Sequence, residues 1–281
     1  MSRYIDAHAH LAASDFKEDI HDVIKQAQDS RVACAVVVAE TKDCFERILS
    51  LYDSYPEFCM PCLGLHPVQG DYNSPSEARS VNLEDLEKAL PIIEANQDKL
   101  VAIGEVGLDF TPRFVKQDSD KEAQREVLRR QIKLAQKYDL PINVHSRSAG
   151  RPTIALLKEE GVKRALLHAF DGRAAIAMDG VQAGYYFSVP PSIVRSEQKS
   201  KLVDKVPLTH LLLETDSPAL GPEKQVRNVP ANIFHSAEYI AKIKKRDLVY
   251  RYNGIHKVTS FELQFKQAQH PVDDLITKTS Q

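Results

Sequence analysis

The sequence lacks a charge excess of either sign: 37 Lys and Arg stand against 39 Asp and Glu, a formal net charge of −2 over 281 residues. Proteins that coat polyanions non-specifically show a basic excess or patch, so that class is disfavoured. A nuclease that recruits phosphate through bound metal needs no such excess. The chain also lacks any apolar stretch near the ~20 residues of a membrane span, so no membrane partner is expected. No secretory leader is visible, because a short polar start runs straight into a strand. The expectation is an intracellular monomer, in the nucleus, the cytoplasm or both. The four cysteines, Cys34, Cys44, Cys59 and Cys62, are then reduced thiols. Cys59-Met60-Pro61-Cys62 has redox or zinc spacing, but no second such pair completes a zinc site. It also reads as a strand entry, where residues three apart face opposite sides. Repeats and low-complexity tracts are absent.

What is present is a regular alternation. The composition, 43% hydrophobic and 27% charged, suits one large globular domain, and α/β barrels of about 250 residues are single domains. Strands are expected at Tyr4–His10, Val32–Val38, Cys62–Leu65, Leu100–Ile103, Leu140–Val144, Ala165–Leu167, Tyr185–Phe187 and Leu211–Leu213. Val32–Val38 is continuously apolar, as in a strand buried on both faces. Amphipathic segments lie between, including Asp15 to Ser30, Leu83 to Glu94, Lys121 to Lys137 and Thr153 to Glu160. Polar loops are expected at Asp71–Ser80 and Thr111–Asp120. Strand–helix alternation predicts a parallel sheet with helices outside, and about eight strands predict an α/β fold of the (β/α)8 TIM-barrel type. The expected domain runs over 1–243; the segment 244–281 is expected to be partly helical and then disordered.

The polar residues of these strands gather where they finish: His10, His66, Glu105, His145, His168 and Asp216. In a (β/α)8 barrel all strand carboxyl ends open at one mouth, where active sites sit. Side chains two apart on a strand share a face, so His8 and His10 present two imidazoles together. His8, His10 and Asp216 suit one divalent ion, His145 and His168 a second, and Glu105 bridges them. Two such ions clamp the attacking and leaving oxygens of a displacement and activate a water as nucleophile; Asp216 is placed to take its proton. Asp6 and Glu214, each two residues before a ligand, and Asp109, near Glu105, are candidate acids that orient ligands. His66 is expected at the substrate rather than a metal. Arg147 offers a planar cation for a phosphate.

Six stretches carry a resemblance: Asp6-Ala7-His8-Ala9-His10, Gly64-Leu65-His66-Pro67, Gly104-Glu105-Val106-Gly107-Leu108-Asp109-Phe110, Pro141-Ile142-Asn143-Val144-His145-Ser146-Arg147, His168-Ala169-Phe170 and Glu214-Thr215-Asp216-Ser217-Pro218. In this order and spacing the chain resembles the TatD-type deoxyribonucleases of the amidohydrolase-like barrel superfamily. The resemblance implies metal ligands at His8, His10, Glu105, His145, His168 and Asp216. It further implies metal-dependent cleavage of DNA phosphodiester bonds, from the 3′ end or at abasic sites. The residues alone imply only a hydrolytic centre of two divalent cations (zinc, magnesium or manganese). An amide or lactone hydrolase of a small molecule, and a non-catalytic metal-binding barrel, remain alternatives. Two stretches depart from the family pattern. Arg227-Asn228-Val229-Pro230 has no acid before its proline, and the sequence from about Lys244 does not follow the usual family ending.

Overall fold

The computed structural model describes residues 4–70 and 78–245. Eight strands follow one another around a single sheet in sequence order: β1 (Tyr4–Ala9), β2 (Val32–Val38), β3 (Cys59–Leu63), β4 (Ala102–Gly107), β5 (Ile142–His145), β6 (Ala165–Leu167), β7 (Tyr186–Val189) and β8 (Leu211–Leu213). All paired neighbours are parallel. The sheet ends meet just past the strands: His8 O accepts the Asp216 N–H at 2.9 Å, and His10 donates its N–H to Ser217 O at 2.8 Å. The expected (β/α)8 barrel is therefore the observed one.

Among the described residues, eight α-helices alternate with the strands: α1 (Ile20–Asp29), α2 (Phe45–Ser54), α3 (Leu83–Ala95), α4 (Asp118–Lys137), α5 (Gly150–Glu159), α6 (Ala174–Gln182), α7 (Glu197–Lys205) and α8 (Ile233–Ile243). Each covers the strands with an apolar stripe, such as Val23, Ile24 and Ala27 of α1. Two cores result. The larger fills the layer between strands and helices. A smaller one, with Ala7, Val36, Val38, Cys62, Ala102, Leu166 and Leu212, fills the barrel. Cys59 belongs to the outer core and Cys62 to the inner one, so strand alternation separates the two thiols. None of the four cysteines forms a disulfide.

The structure corrects several expected boundaries. α1 begins at Ile20, after a short 3-10 turn at Ser14–Phe16, rather than at Asp15. β3 starts earlier, at Cys59. The fourth strand is displaced toward its carboxyl end, so Glu105 lies within β4 and does not terminate it. Glycines explain why this strand was hard to read. A Cβ on Gly104 would lie 2.8 Å from Asn143 Cβ, and one on Gly107 (φ 152°) only 2.0 Å from His145 O. Side chains are excluded there by the approach of β5. Arg79–Ser80, expected in a loop, forms a short antiparallel ribbon with Val68–Gln69. Residues 71–77 of that loop, and the tail beyond Lys245, lie outside the described residues.

Candidate metal centre

The barrel mouth brings His8, His10, His66, Glu105, His145, His168 and Asp216 together, all with 9% exposure or less except His145. Glu105 stands in the middle. Its Oε2 lies 3.6 Å from both His8 Nε2 and His10 Nε2. Its Oε1 lies 2.8 Å from His145 Nδ1 and 2.7 Å from His168 Nε2. The two oxygens of one carboxylate thus face two separate pairs of imidazoles. Asp216 Oδ1 completes the first group, 3.5 Å from His8 Nε2 and 3.2 Å from His10 Nε2. The two imidazole nitrogens of that group are 3.2 Å apart.

These separations can be tested against metal chemistry. Metal–ligand bonds of about 2.0–2.1 Å at tetrahedral angles put neighbouring donors about 3.3–3.4 Å apart. The first group spans 3.2–3.6 Å, so its donors fit a cation of this size. In the second group His145 Nδ1 and His168 Nε2 are 3.2 Å apart, with both nitrogens closer to the carboxylate. Three overlapping sets keep their donors within 4.8 Å: His8–His10–Asp216, His8–Glu105–His168 and His66–Glu105–His145. The last includes His66, whose Nε2 is 3.8 Å from Glu105 Oε1.

Behind His8 and His145 stand polar groups at hydrogen-bond distance, and behind His10 and His168 carboxylates that stand farther off. His8 Nδ1 lies 2.9 Å from Asn143 Oδ1, and Asn143 Nδ2 donates to Ala7 O at 3.0 Å. A carboxamide oxygen only accepts, so the His8 proton sits on Nδ1 and the Nε2 lone pair faces the carboxylates. His145 Nε2 lies 3.2 Å from Asp109 Oδ2, which leaves Nδ1 toward Glu105. Glu214 Oε2 stands 3.8 Å from His168 Nδ1, and Glu40 Oε2 3.9 Å from His10 Nδ1. Those two nitrogens are buried without a hydrogen-bond partner. Orienting groups of this kind tune metal-ligating histidines. Asn143 and Glu40 were not singled out in the sequence, because the first reads as a strand interior and the second as a surface acid.

Asp6 does not touch an imidazole. Its Oδ1 accepts the His8 N–H at 3.2 Å and the Thr215 N–H at 2.8 Å, and the Thr215 hydroxyl donates to Oδ2. It ties the strand carrying His8 to the segment carrying Asp216, which holds a left-handed φ of 55°. Asn228 anchors the same segment, donating to Thr215 O at 2.8 Å and Ala219 O at 2.9 Å. Beside it, Arg227 forms a two-pronged pair with Asp19 and donates to Asp15 O at 2.7 Å. Arg227 thus ties this segment to the start of α1. Arg147 follows β5, exposed, with its carbonyl accepting the Phe110 N–H at 3.1 Å.

α4 supplies two further supports that the sequence did not disclose. Gln124 and Gln131, seven residues and about two turns apart, lie on one helix face. Gln124 accepts the Asp109 N–H at 2.8 Å and donates to Asp109 O at 2.9 Å. Gln131 does the same for Leu65, at 2.7 and 3.1 Å. Each carboxamide thus caps a peptide next to a site residue as a neighbouring strand would.

Burial raises the cost of charge throughout the cluster, and neighbours decide the outcome. Burial would push Glu105 up, but the imidazoles of His168, His66, His8 and His145 hold it well below the usual carboxylate range. Asp216 is likewise lowered by His10 against burial. Asp6 and Glu214, with weaker compensation, are pushed up by burial to about 7. His8 is lowered to about 3 by burial and by His168. Burial and then His145 lower His66. For His145 burial is outweighed by Asp109 and Glu105, which raise it to about 9.

Comparison with known proteins matches this architecture. The model of the TatD related DNase family covers residues 5–258. The chain belongs to that family. It is 60% identical over 240 residues to the human protein named Deoxyribonuclease TATDN3, covering 85% of this chain and 87% of the relative. It is 33% identical over 246 residues to an uncharacterised metal-dependent hydrolase, YabD, of Bacillus subtilis, covering 85% of this chain and 91% of the relative. Among solved structures, the TatD homologue YJJV of Escherichia coli superposes with a TM-score of 0.80 at 27% identity, covering 92% of this chain and 97% of that one.

Proposed function

We propose that this member of the TatD family is a metal-dependent deoxyribonuclease that hydrolyses phosphodiester bonds, from the 3′ end of a strand, at abasic sites, or both. The observation that carries the reading is the divided carboxylate of Glu105, one oxygen toward His8 and His10, the other toward His145 and His168. In this reading His8, His10 and Asp216 would hold one divalent cation (zinc, magnesium or manganese), His145 and His168 would hold a second, and Glu105 would serve both. Bound divalent ions supply Lewis acidity and lower the pKa of water toward neutrality. Glu105 and Asp216 are the catalytic carboxylates, and Asp216 takes the proton of the attacking water. Asp109 and Glu214 orient His145 and His168.

His66 and Arg147 contact the substrate. His66 Nδ1 lies 3.0 Å from Val68 N and 3.1 Å from Val68 O, which turns its Nε2 toward Glu105. In this reading that nitrogen meets a phosphoryl oxygen. We place the catalytic domain at 1–243. No helix among the described residues is long and apolar enough to cross a membrane.

The experiment is cleavage of end-labelled single- and double-stranded DNA, with and without an abasic site, under each divalent ion and under chelator, beside Glu105→Ala. Metal-stimulated cleavage that chelator and the substitution both abolish is expected. Cleavage indifferent to both would overturn the reading, and so would turnover of amides or lactones with none of DNA.

A further inference from the structure

Lys199 lies in the first turn of α7, outside the metal-binding set, and its side chain runs inward rather than to solvent. Its Nζ donates to Ala169 O at 2.9 Å. Ala169 follows His168, holds a left-handed φ of 42°, and gives its own N–H to Glu214 Oε1 at 2.8 Å. An ammonium has three donors, and this carbonyl uses one. No carboxylate among the described residues forms an ion pair with Nζ. The charges that reach it are those of Glu214, Asp171 and Asp216, with Arg195 opposing.

Fastening the loop does not by itself require this charge. The neighbouring Gln198 already donates its side-chain N–H to Asp171 O, and Ala169 is held from its other side by Glu214. Arg195 is committed to Gly221 O, at 3.2 and 3.3 Å. Half-buried and bonded to a single neutral carbonyl, this ammonium keeps two donors that an anion can take. Burial lowers its pKa, and a bound anion would favour the charged form. Lys199 bonds the peptide that follows His168, a member of one donor group, and the charge of Asp216, a member of the other, reaches it.

We propose that Lys199 receives a non-bridging oxygen of the substrate phosphate, fixing the phosphodiester across the two donor groups from the α7 side. The inference rests on the phosphodiesterase reading and deepens it.

Lys199→Met keeps the stem and removes the charge and donors. Inorganic phosphate binding to the Mn2+-loaded protein is measured by calorimetry, together with Mn2+ binding, and with KM and kcat on end-labelled DNA. Phosphate affinity is expected to fall about tenfold or more, with KM rising by a similar factor. The Mn2+ isotherm should be unchanged, and Lys199→Arg should restore most of the loss. Equal phosphate affinity in Lys199→Met and the parent would overturn the proposal. So would a parent that binds no phosphate, or a parallel loss of Mn2+ affinity, which would mark a purely structural clamp. If phosphate binding depends on Lys199 while the parent cleaves no DNA, the anion site stands and the choice of DNA as substrate falls.

Discussion

Asn143 and His8 stand 135 positions apart in the chain and are joined by a 2.9 Å hydrogen bond at the bottom of the mouth. The carboxamide is itself fixed by the Ala7 carbonyl, so it dictates both the ring plane and the tautomer of His8. Asn143→Ala removes that control without touching a donor atom of the cluster. Metal affinity should fall about 10–100-fold, read by titration calorimetry with Mn2+ or Zn2+. An unchanged isotherm would show that His8 orients itself.

Asp109 has the corresponding hold on His145, at 3.2 Å. Asp109→Ala should likewise weaken metal binding by about 10–100-fold. Because Asp109 serves His145 and Asn143 serves His8, the two substitutions should affect different ions. A two-site titration separates them: loss of the same step in both variants contradicts the assignment of His8 and His145 to different cations.

Gln131 is fully buried, and its side chain is spent on the Leu65 peptide, one residue before His66. Gln131→Leu strands a buried N–H and a buried carbonyl. Each such group costs about 1–3 kcal/mol, so urea unfolding should show a loss of about 2–6 kcal/mol. A shift of the midpoint too small to measure would mean that water replaces the carboxamide.

Arg227 holds Asp19 below the ordinary carboxylate range, chiefly through their hydrogen bonds. A depressed folded-state pKa gives stability that is present above the unfolded value, near 4, and is lost as pH falls through the folded one. Arg227→Ala should therefore melt earlier than the parent at neutral pH, with the gap closing on acidification. The pair is exposed, so added salt should also narrow the gap. A gap indifferent to pH and salt would attribute the effect to packing of Arg227 over Phe16, 5.2 Å from its ring centre.

Much of this molecule was open to reading because its chemistry is written where strands end. Val32–Val38, Ala165–Leu167 and Leu211–Leu213 have the observed bounds, since runs buried on both faces leave no ambiguity of period. The polar residues that interrupt such runs converge because all eight strands point the same way. What stayed hidden was whatever acts from a distance. Gln124 and Gln131 look like ordinary helix polarity, and only the packing of α4 turns them inward. Glu40 and Lys199 belong to surface-looking segments whose direction is set by the barrel's curvature. The end of β4 was set too early, at Glu105 instead of Gly107, because the strand is glycine-spaced and its apolar run is short.

The seam between β1 and β8 has a further consequence. Asp216 faces His8 and His10 from some two hundred positions away in the chain, at the opposite end of the strand order. That donor group therefore exists only where the first and last strands adjoin. Glu105, His145 and His168 come from three successive strands and need no such closure. Opening the seam would part the first group and leave the second together.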